Sequence, residues 1–421
     1  MLATVRGASR LEGEVDVPAD KSISHRALIL NAVADGVATI ERLSAAADVA
    51  STAACLRALG VEMEGGRVEG RGLAGLRSAP GPLDCGNSGT TMRLLGGLLA
   101  AQPFSSMLVG DRSLSARPME RLAEPLRRMG ARAETLPLRV GGSLPLHGLD
   151  FASPVASAQV KSALLLAGLY ATATVRVSEP AASRDHSERM LRAMGAPIEF
   201  APGWASVAGP AERLHPLSLT VPGDLSAAAF WLVAAGVSRQ GRVRLPGVGV
   251  NPTRSAILDA LGRAGIQVRL SRMRQAGEEP VADLEVMGGG ELRALELGAP
   301  ETAALIDELP ILSVAAAFLP GVSRITGAAE LRVKESDRIA AMAEGLGRMG
   351  AHVAELPDGW EIRGGGGLEG ARVRSCGDHR VAMALAVAGL LAAGQTEIEE
   401  AECVEVSYPD FWDHLELLCS Q

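Results

Sequence analysis

The chain has 421 residues, which at ordinary domain sizes predicts two or three domains. Hydrophobic residues make up 47% and charged residues 21%, a globular composition that argues against long disordered tails. Lys and Arg number 41 against 49 Asp and Glu, a formal net charge of -8, so a nucleic-acid or membrane-surface role has no global electrostatic support. Any anionic ligand has to be held by a local cationic cluster.

The first residues carry no apolar run behind their charge, and the stretch 381–394 is shorter than the roughly 18 residues that span a bilayer. A cytoplasmic protein without membrane association is expected. Cys55, Cys85, Cys376, Cys403 and Cys419 are odd in number and never spaced C-x-x-C, which fits neither a disulfide framework nor a zinc ribbon. With no H-E-x-x-H or carboxylate-rich loop, no metal is expected.

Taken in chain order, two kinds of helix alternate. Apolar helices are predicted at 27–34, 92–101, 162–171, 225–236, 311–319 and 381–393. Between them an amphipathic helix ends at Gly and a strand follows, as in Leu56-Arg57-Ala58-Leu59-Gly60 and Leu126-Arg127-Arg128-Met129-Gly130. The same phrase recurs at Gly195, Gly265 and Gly350, each read as a left-handed helix C-cap. Segment 409–418 supplies the sixth amphipathic helix. The apolar helices belong inside and the one-faced helices at the surface. Six copies of a two-helix, several-strand unit result. The phrases Val17-Pro18-Ala19-Asp20 and Val221-Pro222-Gly223-Asp224 read as two crossings between domains, giving a first domain of 20–223 and a second of 1–19 plus 224–421.

Polar and charged groups gather at the starts of the apolar helices, where unsatisfied N–H groups and the helix dipole favour anions. The segments are Asp20-Lys21-Ser22-Ile23-Ser24-His25-Arg26, Gly86-Asn87-Ser88-Gly89-Thr90-Thr91-Met92-Arg93, Ser157-Ala158-Gln159-Val160-Lys161-Ser162, Ile306-Asp307-Glu308 and Gly377-Asp378-His379-Arg380. Each can also be an ordinary capped first turn, and Lys334-Glu335-Ser336-Asp337-Arg338 an exposed helical start with an i,i+4 charge pair. Gly86–Thr90 lacks the P-loop spacing. Their placement at corresponding points of a repeat favours function: if the helices run parallel within each domain, their starts converge, and two such faces make a phosphate-binding cleft.

These motifs, together with Leu331-Arg332-Val333-Lys334-Glu335-Ser336-Asp337-Arg338, closely resemble the 5-enolpyruvylshikimate-3-phosphate synthase family over about residues 5–415. The resemblance implies an α/β (α+β) chain of two domains, each built from three βαβαββ units around buried parallel helices. It implies transfer of the enolpyruvyl group of phosphoenolpyruvate to shikimate 3-phosphate, with no metal or organic cofactor, by a monomer. Lys21, Ser22, Arg26, Ser157, Gln159, Ser183, Arg184, Asp307 and Lys334 would hold shikimate 3-phosphate. Lys21, Gly89, Arg117, Gln159, Arg338 and Arg380 would hold phosphoenolpyruvate, with His379 nearby. Asp307 is the implied base, Glu335 the implied acid, and Lys21 stabilises charge or assists proton transfer.

Several positions depart from the best-known bacterial pattern. Ala158 stands where some members have Ser, Glu330 where some have Asn, and Val406 where some have a Lys that contacts phosphoenolpyruvate; Arg184 matches a second subgroup. Gly89 leaves room for a phosphonate such as glyphosate. Two rivals are a UDP-N-acetylglucosamine enolpyruvyl transferase, disfavoured because Ser113-Leu114-Ser115-Ala116-Arg117 lacks that family's Cys, and a non-catalytic anion-binding protein, disfavoured by the retained carboxylates.

Overall fold

In the computed structural model the described residues, all except Leu136, Ser143, Leu144, Ser420 and Gln421, fall into two units. The first is Ala19–Val221 with the segment Gln275–Glu279, and the second is Met1–Pro18, Pro222–Arg274 and Pro280–Gln421. The first unit carries helices α1 (Lys21–Ala32), α2 (Ala47–Ala58), α3 (Gly89–Ala100), α4 (Arg112–Ser115), α5 (Glu120–Arg128), α6 (Ala158–Gly168) and α7 (His186–Ala193). The second carries α8 (Leu225–Val237), α9 (Ala256–Arg263), α10 (Ala299–Ala304), α11 (Leu309–Phe318), α12 (Arg338–Arg348), α13 (His379–Leu391) and α14 (Phe411–Cys419).

Six small sheets occur among the described residues. One shows the common grammar: Leu83–Asp84 runs parallel to Ser105–Val109 with α3 between them, and Leu138–Gly141 and Ala133–Thr135 add an antiparallel hairpin. A strand needs a helix-length connection to meet a parallel neighbour but only a tight turn to meet an antiparallel one. That difference explains why a buried helix joins each parallel pair whose strands are near in sequence, as α6 joins Leu149–Ala152 to Val175–Ser178 and α13 joins Arg372–Arg374 to Gln395–Glu399. Three sheets borrow a strand from far along the chain: Leu219–Thr220 pairs with Val37–Glu41, Leu11–Glu14 with Gly241–Gly249, and Leu2–Arg6 with Gln395–Glu399. The last sheet has three strands, the distant Leu2–Arg6 standing where its siblings have a hairpin.

The repeated helices divide as their polarity dictates. In α1, α3 and α6 nearly every residue past the first turn is buried, whereas α5 buries one stripe and α7 leaves Arg192 and Ala193 exposed. Each unit has its own apolar core, Leu28, Leu95, Leu98 and Leu165 in the first and Leu232, Leu312, Val314 and Val387 in the second. Burying such a Leu or Val is worth about 1.5–3 kcal/mol. In the second core Trp231 stacks on Phe411, with ring centroids 5.1 Å apart, and donates to the Tyr408 hydroxyl at 2.9 Å. Among the described residues no helix is long and apolar enough to cross a membrane.

The crossings at 18/19 and 221/222 each lead to an aspartate that caps a buried helix: Asp20 accepts from the Ile23 amide and Asp224 from the Ser226 amide. The five helix-ending glycines, Gly60, Gly130, Gly195, Gly265 and Gly350, all have φ between 82° and 90°. A side chain there would pay the left-handed penalty. The contrast between two glycines of α12's C-terminal region tests this reading. Neither Gly347 nor Gly350 has an atom near the position of an added Cβ, but Gly350 has φ 89°. Gly350→Ala is expected to destabilise the second unit by about 1–2 kcal/mol, and Gly347→Ala to stabilise it by roughly 0.5–1 kcal/mol. Urea titration gives the two signs directly.

Candidate active site

In the first unit, hydrogen bonds tie the starts of three buried helices together. Lys21, at the first position of α1, pairs with Asp48 at 3.3 Å, and Ser22 beside it is half-buried. Arg26 lies one turn deeper and is 2% exposed. Its guanidinium donates to Ser187 Oγ at 2.7 Å, Ser162 Oγ at 3.0 Å and the Ser22 carbonyl at 3.0 Å. Burial pulls its pKa down to about 10, with Glu188 and Asp20 opposing. Arg26 therefore cross-links α1, α6 and α7 behind Ser22.

A second link is a buried chain of hydroxyls. His25 Nδ1 meets Thr52 Oγ1 at 2.7 Å, Thr52 meets Thr91 Oγ1 at 2.6 Å, and Thr91 donates to Ser88 Oγ at 2.8 Å. Ser88 in turn caps α3 by accepting from the Thr91 amide at 3.1 Å. The chain fixes α1 and α2 to the first turn of α3, which begins at Gly89. A Cβ on Gly89 would lie 2.7 Å from Arg93 Nη1 and 3.3 Å from Arg117 Nη1. Two guanidinium groups thus crowd the glycine.

Gln159 is held at the same place, its carbonyl accepting from Arg93 at 2.5 Å and its amide donating to Thr90 Oγ1 at 2.9 Å. Arg117 precedes α5 and donates to Asn87 Oδ1 at 2.6 Å, while Asn87 Nδ2 donates to Asp111 at 2.6 Å. Ser157 caps α6, and Ser183 and Arg184 lie in the loop before α7. Lys21, Ser22, Gly89, Arg117, Ser157, Gln159, Ser183 and Arg184 belong to this one unit.

The second unit brings together the rest. Arg338 opens α12 and is 1% exposed. It bonds Asp378 at 2.7 Å and Glu335 at 2.6 Å and lies 3.7 Å from Asp307. Burial opposes its charge, but Asp378, Glu335 and Asp307 more than offset that and hold its pKa above the ordinary value. Burial likewise opposes the Asp378 carboxylate, which Arg338 and His379 nevertheless keep below its usual range. Asp378 also caps α13 through the Arg380 amide at 2.9 Å. Arg380 donates to the Asp307 carbonyl at 3.0 Å and lies 3.7 Å from its carboxylate. Burial lowers the Lys334 pKa, with Asp307 opposing. The alternative of an exposed helical start at 334–338 does not hold: α12 begins only at Arg338, capped by Asp337 and turned inward. Glu330 lies in the short 3₁₀ segment Ala329–Val333, and Val406 closes another, Ala401–Val406.

Sequence reasoning missed Arg93, Asn87, Asp111 and Asp48 as parts of these clusters. Arg93 stood inside a quoted motif, and its spacing from Gly89, one turn of helix, was a usable signal. Asp48 and Asp111 had none, because they meet their partners only across different elements. Chemically, each unit presents guanidinium and ammonium groups beside helix N-termini, an arrangement suited to flat carboxylates and phosphates. Asp307 adds a carboxylate set among cations, available for proton transfer.

The buried His25 gives a pH test. Burial, with Lys21 and Arg26 adding repulsion, lowers its pKa from 6.5 to about 3. The unfolded chain takes up this proton below pH 6.5 and the folded one does not, so stability falls as pH drops from 6.5 toward 3. A single such group contributes a slope of about 1.4 kcal/mol per pH unit. Denaturant titrations between pH 6.5 and 4 are expected to show a shallower loss for His25→Gln than for the parent chain.

A model of the EPSP synthase (3-phosphoshikimate 1-carboxyvinyltransferase) family matches residues 5–415. A 3-phosphoshikimate 1-carboxyvinyltransferase of Gloeobacter violaceus is 54% identical, with 98% of each chain covered. One from Herpetosiphon aurantiacus is 50% identical, again over 98% of each. Among solved structures, EPSP synthase from Acinetobacter baumannii superimposes with a TM-score of 0.90 at 39% identity, covering 99% of this chain and 98% of that one. The chain belongs to the EPSP synthase family.

Proposed function

We infer that the chain transfers the enolpyruvyl group of phosphoenolpyruvate to the 5-hydroxyl of shikimate 3-phosphate and releases phosphate. The observation that carries the reading is Asp307 among Arg338, Arg380 and Lys334, a carboxylate surrounded by cations. A pure anion binder gains nothing from that negative charge. Residues 20–223 act as one domain and 1–19 with 224–421 as the other.

Lys21, Ser22, Arg26, Ser157, Gln159, Ser183, Arg184, Asp307 and Lys334 are assigned to shikimate 3-phosphate. Of these, Arg26 acts from behind, holding Ser22 by its carbonyl. Lys21, Gly89, Arg117, Gln159, Arg338 and Arg380 are assigned to phosphoenolpyruvate, with Arg93 added by its bond to Gln159. Two anions repel, and the cations offset that repulsion while orienting both reactants.

Asp307 takes the proton of the 5-hydroxyl as its oxygen bonds to C2 of phosphoenolpyruvate, and C3 gains a proton from Glu335. The product is a tetrahedral ketal. Loss of a C3 proton back to Glu335 and breakage of the C2–O bond to phosphate then give the enol ether, and the proton held by Asp307 leaves with the phosphate. Lys21 stabilises charge on the oxygens that gain it. Glu335 is bonded to Arg338, so the acid role requires it to exchange that partner for the substrate carbon. The chain is assigned as a cytoplasmic monomer without a cofactor.

Phosphate release with phosphoenolpyruvate and shikimate 3-phosphate, and none with UDP-N-acetylglucosamine or shikimate at the same concentrations, is the expected assay result; release with the amino sugar instead overturns the reading. Asp307→Asn should still bind shikimate 3-phosphate but lower kcat by about 10²–10⁴, and full activity would remove the base assignment. Glyphosate should compete with phosphoenolpyruvate. Because a Cβ at Gly89 lies 2.7 Å from Arg93 Nη1, Gly89→Ala should displace that guanidinium and raise the glyphosate inhibition constant by at least about tenfold, equivalent to 1.4 kcal/mol; an unchanged constant would count against crowding at this glycine.

A further inference from the structure

Behind Ser157 and Ser183, two of the three serines assigned to shikimate 3-phosphate, stands one carboxylate. Glu179 follows the strand Val175–Ser178, and its side chain is 1% exposed. Oε1 accepts the Ser157 amide N–H at 2.6 Å, and Oε2 accepts the Ser183 hydroxyl at 2.7 Å. Oε2 also lies 3.0 Å from Lys161 Nζ, which is 2.9 Å from Glu188 of α7 and donates to the Ser183 carbonyl at 3.4 Å. The Glu179 backbone is fixed by its own amide bond to Gly203 at 2.8 Å.

Ser157 caps α6 and Ser183 lies in the loop before α7, so nothing in the local backbone sets their separation. We propose that Glu179 is a positioning residue for the shikimate 3-phosphate site: its two oxygens hold Ser157 and Ser183 at a fixed spacing before substrate arrives. The assignment rests on the reading of the site given above. A serine hydroxyl that rotates freely must be immobilised on binding, and one already held costs less to order. A carboxylate accepts hydrogen bonds only. Ser183 therefore points its proton at Glu179 when the site is empty and turns it to the substrate's oxyanion when the site fills. Burial disfavours the Lys161 ammonium, but Glu188 and Glu179 raise its pKa above the ordinary value.

Electrostatics and positioning predict opposite signs for one substitution. Glu179→Gln removes a negative charge near a bound anion, which by charge alone tightens binding. Loss of positioning weakens it, because the amide NH2 replaces an acceptor that Ser183 and Lys161 share. Lys161 retains Glu188. Calorimetric titration of the full chain with shikimate 3-phosphate is expected to show about tenfold weaker binding for Glu179→Gln, the equivalent of 1.4 kcal/mol, with the KM for phosphoenolpyruvate nearly unchanged. Binding that is unchanged or tighter overturns the proposal, as does an equal loss for both substrates. In a Ser183→Ala background the effect of Glu179→Gln should shrink; full additivity also overturns it. If Glu179→Gln does not fold, Glu179→Asp, one methylene too short to reach both serines, carries the same expectation and the same refutation. Parent chain that releases no phosphate from the substrate pair sinks the enzymatic reading, whereas active parent chain with unaltered Glu179 variants sinks only this assignment.

Discussion

A guanidinium or ammonium group taken out of water must meet a counter-charge or a set of oxygens, and near the helix starts of this chain three buried cations have been given them. Arg338 is enclosed by Asp378, Glu335 and Asp307, Lys161 by Glu179 and Glu188, and Arg26 by two hydroxyls and a carbonyl. Removing one partner from such a buried pair typically costs about 3–5 kcal/mol, because the other charge stays behind. The cations are thereby ordered before any ligand arrives. An overall charge of -8 is compatible with anionic substrates for the same reason: the acidic excess does not describe the charge in the immediate neighbourhood of Arg338 or Lys21.

The pairing also separates two kinds of arginine. Arg26 and Arg338 are almost inaccessible, and each holds other groups, Ser22 in one case and Asp378 with Glu335 in the other. Arg117 and Arg380 are only half-buried. Each has a single short contact named above, to Asn87 Oδ1 and to the Asp307 carbonyl, and both of those acceptors are neutral. Arg380 also lies 3.7 Å from the Asp307 carboxylate.

The repeat was readable because its signals are local. A glycine that must be left-handed is visible wherever a helix-ending phrase meets it, and an all-apolar helix announces its own burial. Borrowed strands were not readable. Leu2–Arg6 joins Gln395–Glu399 across nearly the whole chain, and neither segment differs in composition from a strand paired nearby. The site was legible to the same extent: Lys21, Gly89, Asp307, Arg338 and Arg380 stand at helix starts, where the physics of the first turn marks them. Asp48, Asp111 and Glu179 were not, since each gains its meaning from a side chain on another element. Arg26 shows the limit within a legible motif, for a first-turn arginine that faces inward reads the same as one that faces out.

The strand borrowed by the last sheet bears on how the polypeptide matures. Met1–Pro18 belongs to the same compact unit as Pro222–Arg274 and Pro280–Gln421, yet the ribosome makes it first. These opening residues have to wait, unpaired, while the intervening 19–221 stretch emerges and acquires its own core. Only when Gln395–Glu399 has left the exit tunnel can Leu2–Arg6 find its neighbour. Closing so long a loop is slow relative to local pairing, which places completion of the second unit after the first unit has had time to fold.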